Sequence, residues 1–526
     1  MANALTIVYG STTVNLNSGD YALVDYAPSY GDGKTAVEKI RLNIKASSHA
    51  NLQSDIQAIQ KAIEMAALRY DSGIGDKVWL KFCPDSLSTT YRSEIVRPEA
   101  GEDAGLVEFG ALQFGWCWRL KYADALLVLV RRDYWEADSE VELSLRNNSG
   151  SGTSGIAVRN SHSTTPAINA VTTISFTAST RRISDSGSGL SMFAVGDVIS
   201  VRGSASNDGV YTVTTLGAGN AFIVVSEPLV DEAATPAITI YDYVNYVDIL
   251  GTDITGMMPT PLKLEFSNSE TTALESVWVA SNWRSSPLTF AHMLEAEDSA
   301  TGSNTANAGA SSGQYRVYTI ATTEAAVTSW TLPSVMMAAA GSNYFRVMAR
   351  FFDSTDIVNC EYRLKVLYGS TVLWDSGLFT FLDTYEPTVK ILREFATVQL
   401  PPYMLEGSSP PDLTLQLLGA STTGSAETVK LDYLMLLPLD GYRKFRSVGG
   451  LAQYTLLMDD GIDGTVYYTV STSRIDDIQA EGKQIMLVPG KTTRIYFQYH
   501  TPTDATAAID HLTTNQAHFR PRVRLI

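Results

Sequence analysis

Short alternating or continuously apolar runs, separated by turn-forming residues, recur along almost the whole chain. Residues 210–213, 222–225 and 238–240 are examples, and Asn207-Asp208-Gly209 is a tight-turn signal before the first of them. Strands at spacings of about 8–12 residues are typical of all-β modules. At roughly 100–200 residues per domain, the 526 residues suggest three or four domains. The sequence therefore predicts a mainly β, multidomain protein.

One stretch near the N-terminus has helical periodicity instead. Its apolar residues recur at spacings of three and four, which places them on one face of a helix: Leu52, Ile56, Ile59, Ile63 and Ala66. Ser47 or Ser48 can cap the start of this helix, and Gly73 lies just past its end. We expect this amphipathic helix to cover one face of a sheet in an α+β domain.

Composition changes and turn signals divide the rest of the chain. We expect an α+β assembly domain at 1–150 and a Gly/Ser-rich flexible linker at 151–166. The regions predicted after the linker are a small β-barrel or sandwich insertion at 167–242, strands that rejoin the first domain at 243–290, a jelly-roll unit at 291–440 and a β-hairpin tail at 441–526.

The charge and cysteine content exclude several classes of protein. A net charge of -17 disfavours binding to nucleic acid and to anionic membranes. Three cysteines give neither a disulfide framework nor zinc spacing and fit a reducing cytosol. We see no signal peptide and no apolar run of about 18 residues, so no membrane insertion is expected. The basic cluster at Arg520, Arg522 and Arg524 is expected to be a solvated edge strand or to form salt bridges between subunits.

The search for catalytic motifs favours a protein that is not an enzyme. None of the six histidines lies in a His-Glu-x-x-His pattern, and there is no Gly-x-x-x-x-Gly-Lys-Ser/Thr loop. Glu295 and Glu297 are expected on one side of a strand, which suits a metal or a hydrogen-bonded rim better than glycoside hydrolysis. The Asp-rich run at 459–464 lacks the spacing of a helical calcium loop, so a hairpin turn is the favoured interpretation over a calcium site.

Two short motifs at the ends of the third unit carry a family resemblance. Leu294-Glu295-Ala296-Glu297 and Leu431-Asp432-Tyr433-Leu434 resemble the first and last strands of jelly-roll carbohydrate-binding modules. In that family the second Glu of the opening motif and the Asp of the closing strand help to hold a structural calcium. The resemblance thus implies Glu297 and Asp432 as ligands of a structural calcium, and no other cofactor is expected. A jelly roll without any ligand is an equally weighted alternative.

The order of the segments carries a second resemblance. A short β start, one amphipathic helix, a module containing Val-Gly-Asp-Val-Ile-Ser-Val and Asn-Asp-Gly-Val-Tyr-Thr-Val, and an ending at Phe519-Arg520-Pro521-Arg522 are together similar to tail proteins of long-tailed bacteriophages. The likeness fits a distal tail or baseplate component. Such proteins form rings around the tail tube and carry sugar-binding-like insertions that face outward.

These observations lead to three hypotheses in order of preference. The first is a structural protein of a phage virion, made in the host cytoplasm, which assembles as a ring homo-oligomer with other tail proteins. Its jelly roll would contact a host cell-surface polysaccharide. The second is a bacterial carbohydrate-binding accessory protein. The third is a polysaccharide-degrading enzyme that uses Glu295 or Glu297.

Overall fold

The structure is a computed structural model that describes most of the chain. The residues it describes are 4–29, 33–84, 89–96, 113–117, 121–163, 165–234, 237–284, 292–333, 344–353, 357–381, 392–400, 412–500 and 512–525. The fold is mainly β and multidomain, as expected, with 57% strand and 9% helical residues. It divides into two compact units. Unit 1 comprises Met1–Val141, Gly256–Thr260 and Arg520–Ile526, and unit 2 comprises Glu142–Thr255 and Pro261–Phe519.

The first half of the chain contains α1 and the strands up to β24. The elements before the small inserted module are β1 (Ala4–Tyr9), β2 (Thr12–Asn15), β3 (Tyr21–Asp25), β4 (Thr35–Lys45), α1 (His49–Ser72), β5 (Val78–Cys83), β6 (Tyr91–Glu94), β7 (Gln113–Cys117), β8 (Tyr122–Arg132), β9 (Trp135–Ala137), β10 (Val141–Glu142), β11 (Leu145–Asn147), β12 (Gly150–Gly152) and β13 (Ile156–Val158). Next come β14 (Ile168–Val171), β15 (Ile174–Thr177), β16 (Arg182–Asp185), β17 (Val198–Arg202), β18 (Gly209–Leu216), β19 (Phe222–Val225), β20 (Ile238–Asp242), β21 (Tyr246–Ile249), β22 (Thr260–Pro261), β23 (Lys263–Asn268) and β24 (Leu274–Arg284).

The second half of the chain adds twenty strands among the described residues. The first eleven are β25 (Met293–Glu295), β26 (Ser303–Ala306), β27 (Gln314–Ile320), β28 (Ala325–Leu332), β29 (Tyr344–Asp353), β30 (Cys360–Tyr368), β31 (Thr371–Asp375), β32 (Phe379–Thr380), β33 (Leu392–Gln399), β34 (Leu413–Ser421) and β35 (Glu427–Pro438). The last nine are β36 (Gly441–Leu451), β37 (Leu456–Asp460), β38 (Thr465–Val470), β39 (Ser473–Ile475), β40 (Ile478–Lys483), β41 (Met486–Leu487), β42 (Thr492–His500), β43 (Leu512–Phe519) and β44 (Arg522–Val523).

Unit 1 combines two antiparallel sheets with the helix α1. The sheet orders are β2-β1-β5-β6-β9-β44 and β3-β4-β8-β7. Ile7 and Leu80 from the first sheet share one hydrophobic core with Ile40 from the second and Ile59 from the helix. The expected α+β architecture of this region is therefore present, because the apolar face of the helix is buried in the core that both sheets share.

The ends of α1 follow the local sequence signals. The Ser48 side chain accepts a hydrogen bond from the Asn51 N–H at 3.1 Å and caps the start. Gly73 ends the helix with φ 70°, a left-handed conformation that favours glycine, and its N–H donates to the Arg69 carbonyl at 2.8 Å. Of the predicted apolar face, Leu52, Ile59, Ile63 and Ala66 are buried and Ile56 is partly buried.

Unit 2 is built on what we call the parent sandwich, formed by β11–β13, β21, β23, β24, β36–β40, β42 and β43. One sheet has the order β12-β11-β21-β42-β24-β36-β40, and the other contains β43-β23-β37-β38-β39 with β13 also on β43. Residues of both sheets, including Val279 and Phe266, lie in a single hydrophobic core. Two further modules are inserted into this sandwich.

The first insertion, the small β module (residues 168–242), contains seven antiparallel strands in the order β14-β20-β17-β18-β19-β16-β15 around its own core. The second, the large β module (residues 293–438), has one sheet with β26-β27-β35-β29-β33 and β25, and another with β28-β34-β30-β31 and β32. Its two sheets share one core. The two resemblance motifs are neighbours there, since Leu294 pairs with Leu434 and Glu295 with Tyr433.

Two expected segment assignments differ from the observed pairing. Residues 151–166, expected as a flexible linker, contain the end of β12 and the whole of β13. The cause is a hairpin in which Asn147 pairs with Gly150, while the Asn147 amide donates to the Ala157 and Tyr246 carbonyls at 2.9 and 3.0 Å. Residues 243–290, expected to rejoin the first domain, do so only at Gly256–Thr260, whereas β21 and β24 lie beside β42 in unit 2.

No helix among the described residues is long and apolar enough to cross a membrane.

Candidate functional site: a buried carboxylate and arginine cluster

The opening motif of the large β module turns sharply after its first Glu. Strand β25 ends at Glu295, and residues Ala296–Asp298 form a single 3-10 turn that is closed by the Ser299 N–H donating to the Ala296 carbonyl at 3.1 Å. The expectation that Glu295 and Glu297 lie on one strand and face the same side is therefore wrong. The turn sends the two carboxylates to different partners.

Glu297 and its neighbour Asp298 contact an arginine of the small β module. Arg202 Nη2 lies 3.0 Å from Glu297 Oε1, and the guanidinium also donates to both oxygens of Asp298 at 2.8 and 3.2 Å. The Arg202 and Glu297 side chains are only 7% and 3% exposed. Burial lowers the pKa of Arg202, but the carboxylates of Asp298 and Glu297 outweigh this effect and raise it, so the guanidinium stays charged.

Glu295 lies at the centre of a chain of hydroxyl groups. Its Oε1 accepts hydrogen bonds from the Tyr243 hydroxyl and from Ser311 Oγ, the latter at 2.5 Å, and Ser311 Oγ also contacts Ser161 Oγ. Glu295 and Tyr243 are fully buried. Burial, reinforced by the negative charge of Asp432, raises the pKa of Glu295 to about 8, so this carboxyl keeps its proton at neutral pH.

Asp432, from the closing motif, has partners within its own module. Its Oδ1 accepts the Ser311 N–H at 2.9 Å, and its Oδ2 pairs with Arg350 on the neighbouring strand β29. The side chains of Asp432 and Arg350 are 0% and 2% exposed. An ion pair this deeply buried must be complete, because either charge alone would be strongly unfavourable.

The two residues implied as calcium ligands thus belong to one cluster, but each carboxylate has an arginine partner. Glu297 contacts Arg202, and Asp432 contacts Arg350. In the described part of the chain, no group of three or more His, Cys, Asp or Glu side chains has an arrangement that could hold a metal ion. Structural calcium at Glu297 and Asp432 therefore remains a prediction from the family resemblance.

Sequence reasoning missed most of the cluster. Arg202, Tyr243, Ser311 and Arg350 carry no local motif, and Ser311 lies in a Gly/Ser/Asn-rich stretch of the sequence. That stretch ends in a buried 3-10 turn, Ser311–Gly313, and Ser312 Oγ donates to Ser200 Oγ of the small module at 2.9 Å. The chemical effect of these contacts is to join the small and large β modules through buried polar groups.

A second buried ion pair lies within the parent sandwich and also contacts the small module. Arg494 donates from Nε and Nη2 to the two oxygens of Asp248, both at 2.7 Å, and from Nη2 to the Gly196 carbonyl at 2.5 Å. The guanidinium lies 3.7 Å from the centre of the Tyr246 ring. Because planar bidentate pairing with Asp248 fixes the orientation of the guanidinium, the parent sandwich holds Arg494 Nη2 in position for the Gly196 carbonyl of the small module.

The C-terminal arginines have partners inside unit 1. Arg520, Arg522 and Arg524 lie 3.2, 3.7 and 3.1 Å from carboxylate oxygens of Glu140, Glu136 and Asp133, respectively. Strand β44, which contains Arg522, is at the edge of its sheet. The edge position is as expected, but the Arg520 and Arg522 side chains are only 12% and 15% exposed, so they are not solvated, and their salt bridges are within the chain.

The Asp-rich run at 459–464 forms a hairpin turn, as favoured by the sequence. Strands β37 and β38 pair antiparallel on either side of it, from Asp460 opposite Thr465 to Leu456 opposite Thr469. The Asp463 N–H donates to Asp460 Oδ1 at 3.0 Å and closes the turn. One carboxylate of the run, Asp459, pairs with Arg443 at 2.8 Å.

Comparisons with known proteins add little to this geometry. No family model and no curated protein matches the chain. Among solved structures, one similar chain is described as the crystal structure of infectious bursal disease virus VP2 subviral particle, with 10% sequence identity and a TM-score of 0.13. That alignment covers 63% of the present chain and 77% of the other. A likeness at this score carries no argument about fold or function.

Proposed function

We propose that the chain is a structural component of a bacteriophage tail, a distal tail or baseplate protein that assembles into a ring by protein–protein contacts. In this proposal it belongs to the virion, is made in the host cytoplasm and has itself and other tail proteins as partners. It has no catalytic role. The large β module is the part that contacts a host cell-surface polysaccharide.

The observation that supports an assembly role most strongly is the way the modules are joined. The small module is tied to the large module by Arg202 with Glu297 and Asp298, and to the parent sandwich by the Gly196 carbonyl, which accepts a hydrogen bond from Arg494. Tyr246, Met435 and Tyr496 belong to a further apolar cluster with residues of all three parts. Rigidly joined β modules suit a component that must hold neighbouring proteins at fixed positions.

Assembly is tested by electron microscopy and sedimentation of the purified full chain over a range of concentrations. We expect closed rings of a single order, because head-to-tail contacts close when the rotation per subunit divides a full turn. A chain that stays monomeric at all concentrations and is also absent from purified phage particles contradicts the proposal.

The host-surface role is tested separately on bacteria. A fluorescently labelled full chain is expected to bind the envelope of a susceptible strain and to lose binding when the surface polysaccharide is removed genetically or enzymatically. The matched control is the same strain with the polysaccharide restored. Binding that is unchanged by loss of the polysaccharide contradicts this part of the proposal and leaves the assembly role intact.

A further inference from the structure

A short loop attaches the small β module to the parent sandwich. This attachment loop, residues 194–197, lies directly before strand β17. Arg146 Nη2 donates to the Val195 carbonyl at 3.1 Å, and Arg494 Nη2 donates to the next carbonyl, that of Gly196, at 2.5 Å. Both arginines lie on strands of the parent sandwich, β11 and β42, so two of its cations hold consecutive peptide groups of the small module.

The attachment loop ends in a carboxyl group that belongs to the same contact. Asp197 is 2% exposed, and its Oδ2 accepts the Ala194 N–H at 2.5 Å within the loop. The Asn148 amide of the parent sandwich donates to both oxygens of Asp197, at 2.7 and 3.0 Å, when its nitrogen is turned toward them. The protonation state of Asp197 therefore bears directly on how the loop is held.

A second carboxyl group of the small module, that of Asp242, lies beside the first. Asp242 is the last residue of β20 and pairs with Ile199, two residues after Asp197. Its Oδ1 is buried and has no hydrogen-bond donor among the described residues. A buried carboxylate without a donor is strongly unfavourable, whereas a neutral carboxylic acid in the same place is much less so.

The charges around these two carboxyl groups do not balance. Arg146 and Arg494 act on Asp197, but Arg494 already forms a bidentate pair with a third carboxylate, Asp248. The charged group that acts on Asp242 is Asp197, and no described cation faces it. Burial, reinforced by the charge of Asp197, raises the pKa of Asp242 to about 7, and burial raises the pKa of Asp197 to about 6 despite the two arginines.

We propose that the attachment of the small β module is pH-dependent: protonation of Asp197 and Asp242 tightens the contact between the attachment loop and the parent sandwich, and ionisation loosens it. An exposed aspartate has a pKa of about 3.9, so opening of the contact favours the ionised form. The contact is therefore tightest below about pH 4, weakens as the pH rises, and no longer changes once the pH has passed the raised pKa of Asp242, about 7. The inference does not depend on the role of the chain in a phage tail.

The other titratable groups near this contact differ from the two aspartates. Tyr246 stays neutral because burial raises its pKa. His162 is next to Ser163, whose N–H donates to the Asp242 carbonyl at 2.8 Å. Burial lowers the pKa of His162 to about 4, so this group weakens its surroundings as the pH falls, which is the opposite sign. Glu227 has the same sign as the aspartates, because burial raises its pKa to about 7, and a variant must separate its effect.

Hydrogen exchange of the full chain over a series of pH values tests the proposal at the attachment loop itself. The Gly196 N–H donates to the Val213 carbonyl at 2.8 Å, and the Asp197 N–H donates to the Ala194 carbonyl at 3.1 Å. After division by the intrinsic exchange rate at each pH, we expect the protection of the Gly196 and Asp197 amides to fall at least about tenfold between about pH 5 and 7 and then to level off.

Four variants locate the effect. Asp242→Asn should keep the loop protected and remove most of the fall, because an amide does not ionise. Asp197→Asn removes the charge beside Asp242, so the fall should end at a lower pH. Glu227→Gln should retain the fall at the attachment loop. Asp477→Asn, an exposed aspartate between β39 and β40, is the matched control and should give the wild-type profile.

Three results would overturn the proposal. These are protection of the Gly196 and Asp197 amides that does not change with pH in the wild type, an unchanged fall in folded Asp242→Asn and Asp197→Asn chains, and loss of the fall in Glu227→Gln. The wild-type series and Glu227→Gln keep the test decisive if the aspartate variants do not fold.

Discussion

Arginine–carboxylate pairs at the C-terminal segment of unit 1 and in the interior of unit 2 differ in how deeply they are buried. In unit 1 the Arg524 side chain is 46% exposed beside Asp133, whereas in unit 2 Arg350 and Arg494 are 2% and 0% exposed. Solvent screens the first kind of pair and lets its partners separate at little cost. The second kind cannot separate without leaving a buried charge, so it constrains the packing of the strands that carry it.

The largest effect is expected from removing the arginine between the two inserted modules. Arg202→Met leaves the Glu297 carboxylate, which is 3% exposed, without its cation and should lower the free energy of unfolding of unit 2 by about 3–5 kcal/mol. Hydrogen exchange of small-module amides in increasing denaturant measures this. A loss of unfolding free energy below about 1 kcal/mol would show that the contact between the small and large β modules tolerates an unpaired carboxyl. Burial would then not distinguish this pair from the exposed pair of Arg524 and Asp133 in unit 1.

Asp432 offers a sharper comparison, since the ion pair and the implied calcium predict different results. Asp432→Asn removes the charge that faces Arg350, and from this pairing we expect a loss of about 3 kcal/mol of unfolding free energy in calcium and in chelator alike. Thermal unfolding in the two buffers is the measurement. A loss that appears only in calcium would instead assign Asp432 to a metal site.

The stability of the small module should depend on pH through a buried carboxyl group, with a smaller effect than the two substitutions above. Burial raises the pKa of Glu227 to about 7, against about 4.3 in an unfolded chain. Between these two pH values Glu227 holds a proton in the folded state that it has lost in the unfolded state. The contribution of this proton to the free energy of unfolding is therefore fully present below about pH 4.3 and is lost as the pH rises through 7. We expect a slope of at most about 1.4 kcal/mol per pH unit.

Glu227→Gln should remove this part of the slope, because the amide does not titrate. Hydrogen exchange of the β18 amides between about pH 4 and 8, which spans the expected transition, provides the measurement. Glu481→Gln, on the exposed strand β40, is the control and should keep the wild-type slope. An unchanged slope in Glu227→Gln would mean that another group carries the pH dependence.

The smallest effect is expected at the surface of unit 1. Arg524→Ala breaks the 3.1 Å pair with Asp133 and should lower the stability of unit 1 by no more than about 1 kcal/mol, since the arginine is half exposed. Arg41→Ala, which removes a 3.3 Å pair with Asp124 in which both side chains are exposed, is the reference for such a pair. If Arg524→Ala were as damaging as Arg202→Met, burial would not explain the difference between the two settings.

Features encoded by neighbouring residues could be predicted from the sequence. The helix ends at Ser48 and Gly73, and the Asp-Gly hairpin at 459–464 forms, because capping and turn chemistry act over three or four residues. The pairing of β25 with β35 agrees with the resemblance that linked their motifs, although the jelly-roll assignment and the glycan contact stay predictions.

The candidate site could not be predicted because its contacts are distant in the chain. The Ser311 N–H and Asp432 are 121 residues apart, and Arg202 and Asp298 are 96 apart. The hydrophobic periodicity of a sequence does not specify which arginine will pair with which carboxylate across such distances. For the same reason the sequence does not reveal that β21 and β24 lie outside the first domain, since only their register with β42 shows their neighbours.

The insertion of two modules into the parent sandwich has a consequence for biosynthesis. Strand β13 pairs with β43, so Thr514 donates to the Ile156 carbonyl across 358 residues of sequence. The sandwich therefore cannot close until almost the whole chain has left the ribosome, whereas each inserted module has its complete set of strands much earlier. A chain truncated before residue 512 would carry folded insertions on an open sheet edge and would be prone to aggregate.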